Sequence, residues 1–155
     1  MGHVRDVVDI HAPIERVWDF IVDYARWPEW QTNLIELRDF GGVPGTVGFT
    51  YTAVYKGLGR RLEGRFEVTV SEPPRLLEEK GHLPGTGEAK SSTLLEATPD
   101  GGTTVTFTLD YQMTGGFLGD IADRLVFEHA MERDFHTSGL TMKELIEAAV
   151  PAGTR

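Results

Sequence analysis

The chain contains no cysteine. That excludes disulfides, thiolate nucleophiles and zinc–thiolate centres as sources of stability or chemistry. Cations are scarce too: 15 Lys and Arg stand against 24 Asp and Glu, a formal net charge of −9. Phosphate recognition needs clustered Lys and Arg, and the one adjacent basic pair, Arg60-Arg61, is too small a patch. Nucleic acid is therefore excluded as a partner, and the same balance disfavours anionic membrane surfaces. No apolar run approaches the roughly 18–20 residues that span a bilayer, so stable membrane insertion is not expected. The opening Met1-Gly2-His3-Val4-Arg5-Asp6 lacks the layout of a signal peptide, and Asp6 stands where a myristoylation signal needs Ser or Thr. Together these absences predict a cytoplasmic location. Two catalytic signatures are missing as well. There is no Gly-x-Ser-x-Gly elbow, and Gly57-Leu58-Gly59 lacks the third Gly and the following helix of a dinucleotide site.

What is present is a composition able to pack a core and a strong period-two pattern. A hydrophobic fraction of 40% suits one domain over residues 1–155, with nothing marking a linker. Residues 4–10 read as a first strand, stopped by Ala12-Pro13. Pro13 suits the first position of a helix, and Ile14, Val17, Trp18, Ile21 and Val22 follow at helical spacing. A second short turn of helix is predicted around Trp27-Pro28-Glu29-Trp30, because Pro28 interrupts a continuous one. Strands are then predicted at 34–40, 47–55, 61–70, 76–83, 88–97 and 104–113, broken by Gly and Pro. The last is cleanest: Val105, Phe107, Leu109, Tyr111 and Met113 face one way, and Thr104, Thr106, Thr108, Asp110 and Gln112 the other. One buried and one wet side marks an antiparallel sheet, and the short breaks predict a meander.

From Phe117 to about Ala149 the chain reads as one long helix. Leu118, Ile121 and Leu125 fall on one stripe; Met131, Phe135, Met142, Leu145, Ile146 and Ala149 form a second, somewhat rotated one. A helix lying across a curved surface explains that drift, and so does a kink near Gly139. A bent sheet closed around one helix leaves a hollow between them, and such hollows take small apolar ligands.

Several motifs carry a family resemblance. Ile10-His11-Ala12-Pro13 with Val17-Trp18, then Trp27-Pro28-Glu29-Trp30, resembles the opening of the START-like superfamily, in particular its polyketide cyclase/dehydrase and lipid-transport group. Gly45-Thr46-Val47-Gly48, Gly102-Thr103, and Met142-Lys143 with Leu145, Ile146 and Glu147 resemble it as well. The resemblance implies an α+β helix-grip fold: a seven-stranded curved antiparallel sheet around the C-terminal helix, with two short helices after the first strand. It also implies an elongated cavity for lipids, polyketides or similar molecules. Members include enzymes, carriers and receptors, so the motifs transfer no catalytic residue.

Candidate site residues are the groups expected to face that hollow. Tyr51, Tyr55, Phe66, Phe107 and Tyr111 lie on apolar strand faces, and a buried Tyr hydroxyl needs a partner that a ligand could supply. The alternative is three core tyrosines bonded to backbone or water. On the long helix Arg124, Glu128 and Glu132 follow at four-residue steps on the edge of the apolar sector, with His129 and His136 on the adjoining shoulder. Leu125, Glu128 and Glu132 are expected to touch ligand, and Glu132, His136 and Tyr111 are the candidates for acid–base chemistry. The alternative is an exposed i,i+4 pair of Arg124 with Glu128 and two solvated histidines. A metal held by His129, Glu132 and His136 is rejected: residues seven apart on a helix lie roughly 10 Å apart along its axis. No cofactor is expected. Glu78 and His82 share one face of the strand at 76–83 and Glu79 the other, with its inward face undetermined. Ser91 and Thr93 share a face with Leu95, and Arg65 contributes only if the phase of its strand is reversed.

Two functions follow from these residues. One is binding or transport of a small hydrophobic ligand, which needs an apolar pocket and one or two polar anchors. The other is a polyketide cyclase, aromatase or dehydratase, which needs a convergent acid–base pair. A homodimer is left open.

Overall fold

The computed structural model describes residues 2–57, 59–82, 86–113 and 121–149. Each alternating segment forms a strand: β1 (Gly2–Ile10), β2 (Leu34–Gly41), β3 (Thr50–Gly57), β4 (Arg60–Glu72), β5 (Leu76–His82), β6 (Thr86–Ala97) and β7 (Thr103–Met113). The strands from β2 to β7 form a meander, and β1 pairs antiparallel with β7, giving one seven-stranded sheet in the order β1-β7-β6-β5-β4-β3-β2. Between β1 and β2 lie helix α1 (Ile14–Ile21), a 3-10 turn (Tyr24–Arg26) and helix α2 (Trp27–Trp30). Pro13 sits at the N-cap of α1, in extended conformation, rather than at its first helical position. Trp27 and Trp30 are buried, and the Trp27 indole nitrogen donates to the Ile21 carbonyl at 2.8 Å, which ties the short helices together.

The third helix, α3 (Ile121–Ala149), is unbroken through Gly139. Gly139 is buried because the helix approaches β1 most closely there: a Cβ would lie 3.0 Å from Asp6 Oδ2. The helix therefore needs no kink; a missing side chain brings the two backbones together. Its buried stripe starts at Phe127, Met131 and Phe135, at four-residue steps, and continues through Met142, Leu145 and Ile146. Leu125, expected on the first stripe, is 53% exposed, because the stripe begins two residues later in phase.

Contacts along α3 show how it is held. His136 Nδ1 lies 3.1 Å from Asp6 Oδ1, Lys143 Nζ donates to the Asp9 carbonyl at 2.6 Å, and the His11 amide donates to Glu147 Oε2 at 2.8 Å. The helix thus runs along β1, in the same direction. On its other side the Thr32 amide donates to Ser138 Oγ at 2.9 Å, and Asn33 Nδ2 donates to Asp134 Oδ2 at 2.8 Å, just before β2 begins. β1 and β2 are the two edges of the sheet. One helix meeting both edges requires a strongly bent sheet and also covers the edge strands. On the inner face of β4 to β7, Val68, Leu77, Leu95 and Val105 are buried in one cluster with Met142 and Ile146 of α3, whereas Phe66, Phe107 and Leu109 remain half-buried.

Candidate ligand site between sheet and helix

The sequence Leu76-Leu77-Glu78-Glu79 repeats each residue type, so alternation alone cannot phase β5. The structure resolves it: Leu77 and Glu79 are buried, while Glu78 and His82 take the other face and His82 is exposed. Glu79 is only 5% exposed. Its neighbours across the ladder are Val68 on β4 and Ser91 on β6. The Tyr24 hydroxyl donates to Glu79 Oε2 at 3.1 Å, and the Tyr51 hydroxyl donates to Oε1. Both partners are neutral, and among the described residues no cation pairs with this carboxylate. Burial therefore raises the Glu79 pKa to about 7, against the opposing pull of the two hydroxyl bonds. Burial, then the charge of Glu79, pushes the phenols of Tyr24 and Tyr55 upward, and Tyr51 likewise.

Aromatic rings frame this acid. Tyr24 stacks on Trp27 with centroids 4.4 Å apart, and Tyr51 stacks on Phe66 at 5.6 Å. Phe66 lies flat over Gly81, where a Cβ would come within 2.0 Å of the ring. Glycine leaves the seat that the ring occupies.

Register places the inner face in cross-strand rows. One row runs Tyr51, Phe66, Gly81, Ala89, Tyr111 and Gly2; the next runs Val68, Glu79, Ser91, Leu109 and Val4. Thr93 and Phe107 lie one step further along. Phe66, Ser91, Thr93, Phe107 and Leu109 remain half-buried although they sit at the middle of the inner face. Two packed clusters flank them. One joins α1, α2 and the β3 aromatics to Met142 and Ile146 of α3; the other joins Val4, Ala89 and Tyr111 to Phe127, Met131 and Phe135. Phe66 and Phe107 pack against the first cluster and Leu109 against the second, so these half-buried residues mark the seam between the two, which is the candidate hollow.

The residues expected on its wall divide. Tyr51 is buried on Glu79; Tyr55, half-buried, donates to Gln31 Oε1 at 3.1 Å. Phe66 and Phe107 lie on the hollow itself. The Tyr111 hydroxyl is buried without a hydrogen-bond partner. Burial first, then the charges of Glu128 and Glu132 and the Glu128 carboxylate within reach of the hydroxyl, raise its pKa to about 12. Glu128 is half-buried, whereas Glu132, His129 and His136 are exposed, and His136 is engaged with Asp6. The side chain of Arg124 and residues 83–85 and 114–120 lie outside the described residues. Arg65 points outward and donates to the Asp39 carbonyl, Thr50 and Thr52, as its strand phase predicts. Tyr24 and Glu79 were the groups sequence reasoning did not single out. Two open clefts of about 360 and 530 Å³ lie beside Arg65 and His82, and the first is also lined by Phe66 and Gly81 together with Glu67 and Lys80.

A bent seven-stranded sheet gripping one long C-terminal helix, with two short helices after its first strand, is a helix-grip fold of the START-like class. The chain belongs to the polyketide cyclase/dehydrase and lipid-transport family, whose model matches residues 1–147. No curated protein matches the sequence. Among solved structures, it is similar to the ZhuI aromatase/cyclase from Streptomyces sp. R1128, at 16% identity and a TM-score of 0.84, covering 98% of this chain and 97% of that one. It is similar to the di-domain ARO/CYC BexL from the BE-7585A biosynthetic pathway, at 17% identity and a TM-score of 0.78, covering 97% of this chain and 51% of that one. It also resembles a START superfamily protein from Mycobacterium smegmatis, at 12% identity and a TM-score of 0.73, covering 96% and 99% of the two chains. At these identities the likeness is one of fold. No helix among the described residues is long and apolar enough to cross a membrane.

Proposed function

We propose that the protein binds a small hydrophobic molecule in the hollow between the sheet and α3. The observation that carries this is that Phe66, Phe107 and Leu109 stay half-buried at the middle of the inner face, along the seam where they pack against two otherwise buried clusters. Apolar surface at the middle of a domain is ordinarily packed away, and a concave apolar site with few polar groups is what a small ligand requires. Native mass spectrometry of the purified protein, followed by extraction, tests it. A defined apolar molecule bound one to one is the expected result. Failure to bind any of a broad panel of lipids and aromatic polyketides refutes it.

A second reading, a cyclase or dehydratase, is favoured by one specific observation. Glu79 is a carboxyl held near neutrality at the base of the hollow, and a general acid–base group works best when its pKa lies near the working pH. Such a group would take a proton alpha to a ligand carbonyl and return it to a departing hydroxyl as water leaves. The environment of Glu79 suits this step better than those of the exposed Glu132 and His136. Glu79→Gln should then abolish turnover of a poly-keto substrate while sparing its binding; retained turnover removes Glu79 from that role.

A further inference from the structure

Glu79 uses only part of its acceptor capacity. An ionised carboxylate offers about four lone-pair sites, and Tyr24 and Tyr51 take one on each oxygen. Beside it on the inner face lie two half-buried hydroxyl residues, Ser91 directly across the ladder and Thr93 one step along. Among the described side chains, the other ionisable groups on this side are acidic as well, apart from His136, which is engaged with Asp6 at the β1 edge. Asp6 carries a buried, unpartnered Oδ2, and Glu128 is half-buried near Tyr111. Among the described side chains, no Lys or Arg lies on the inner face of the sheet.

We propose that the hollow selects apolar molecules bearing a hydrogen-bond donor, as an alcohol, phenol or amine, and rejects carboxylates, with Glu79 as the selecting group. A donor fills a vacant acceptor site on an uncompensated buried charge, which is where a hydrogen bond gains most. A carboxylate ligand places a second negative charge in the same poorly solvated space, with no Lys or Arg among the described side chains of the inner face to hold it. An apolar ligand without a donor gains only burial. Plain fatty acids are therefore poor ligands, and hydroxylated aromatic or polycyclic molecules good ones.

This inference rests on the proposed binding function, and the test separates the two. At pH 8, uncharged Nile red reports whether the hollow takes an apolar molecule at all. Isothermal titration then compares 2-naphthol, 2-methoxynaphthalene and 2-naphthoate, which share one ring system and differ in donor and charge. The expected order is 2-naphthol tightest, roughly tenfold or more ahead of 2-methoxynaphthalene, the scale of one hydrogen bond to a charged group, with 2-naphthoate last. In Glu79→Gln the gap between 2-naphthol and 2-methoxynaphthalene should close and 2-naphthoate should gain. If Nile red binds and the three naphthalenes bind equally, or 2-naphthoate binds best, selection by Glu79 is overturned while ligand binding stands. If neither Nile red nor any naphthalene binds, the binding function fails and the inference with it. The wild-type series decides without the variant, so the folding of Glu79→Gln does not limit the test.

Discussion

Stability should fall as pH rises through the range in which Glu79 ionises. A free glutamate titrates near 4.5, and the folded protein holds the Glu79 proton up to about 7. Between those values the folded chain keeps a proton that the unfolded chain has released, so lower pH favours folding. Above about 7 both states are ionised, and the full cost of burying the carboxylate is present. The gap corresponds to about 3 kcal/mol, a large share of the stability of a domain this size. Glu79→Gln keeps the shape and removes the titration. Urea unfolding of both proteins at pH 5 and pH 8, followed by Trp fluorescence, measures the effect. The variant should gain on the wild type by about 3 kcal/mol between pH 5 and pH 8. The comparison cancels the carboxylates held low by hydrogen bonds, such as Glu29, Asp100 and Glu147, whose effects oppose this one at acid pH. An equal difference between the two proteins at both pH values refutes an uncompensated buried acid.

Three further outcomes test the geometry. Tyr111→Phe removes a buried hydroxyl with no partner, so it should leave stability unchanged or raise it by up to about 1 kcal/mol; a clear fall in melting temperature would reveal a missed hydrogen bond. Gly81→Ala puts a methyl 2.0 Å from the Phe66 ring and should cost about 1–3 kcal/mol, because the ring must leave its seat. Nile red binding should weaken with it as the ring swings into the hollow. At Gly139 an added Cβ meets Asp6 Oδ2 at 3.0 Å, so Gly139→Leu should lower the melting temperature far more than Gly139→Ala; equal effects would remove the close approach of α3 to β1.

The elements legible in the sequence are those whose burial is one-sided. In β7, Val105, Phe107, Leu109 and Tyr111 alternate with threonines because one face meets the helix and the other water, and the strand phase followed directly. The outward placement of Arg65 followed from the same alternation in β4. The phase of β5 did not, because Glu79 breaks the rule that relates polarity to exposure. Its inward position is set by register with Val68 and Ser91, a long-range fact that no window of sequence carries. Tyr24 was obscured for a similar reason: it lies in a short 3-10 turn, outside any period that would assign it a face. On α3 the shoulder residues Glu132 and His136 stand at the boundary of the apolar sector, where a small rotation of the helix decides between hollow and solvent. The approach at Gly139 and the ties to Asp6 and Asn33 set that rotation, and all of them depend on partners more than 100 positions away in the chain.

The way α3 is anchored divides its packing against the sheet into two clusters. The helix is drawn down at Gly139, sealed by Met142 and Ile146 beyond that point, and sealed again by Phe127, Met131 and Phe135 before it. Its polar contacts run to β1 and to the residues just before β2, while Met142 and Ile146 pack with Leu77, Leu95 and Val105 of the middle strands. Into that span the fold places a buried acid that destabilises the protein at neutral pH, set between two tyrosines that ease the cost without cancelling it. A leucine at the same position would remove the buried charge but leave the Tyr24 and Tyr51 hydroxyls without their acceptor. Sites where a sequence departs from such local consistency without local compensation are where function is expected. Glu79 is that site here, and the proposed ligand is what would complete its charge.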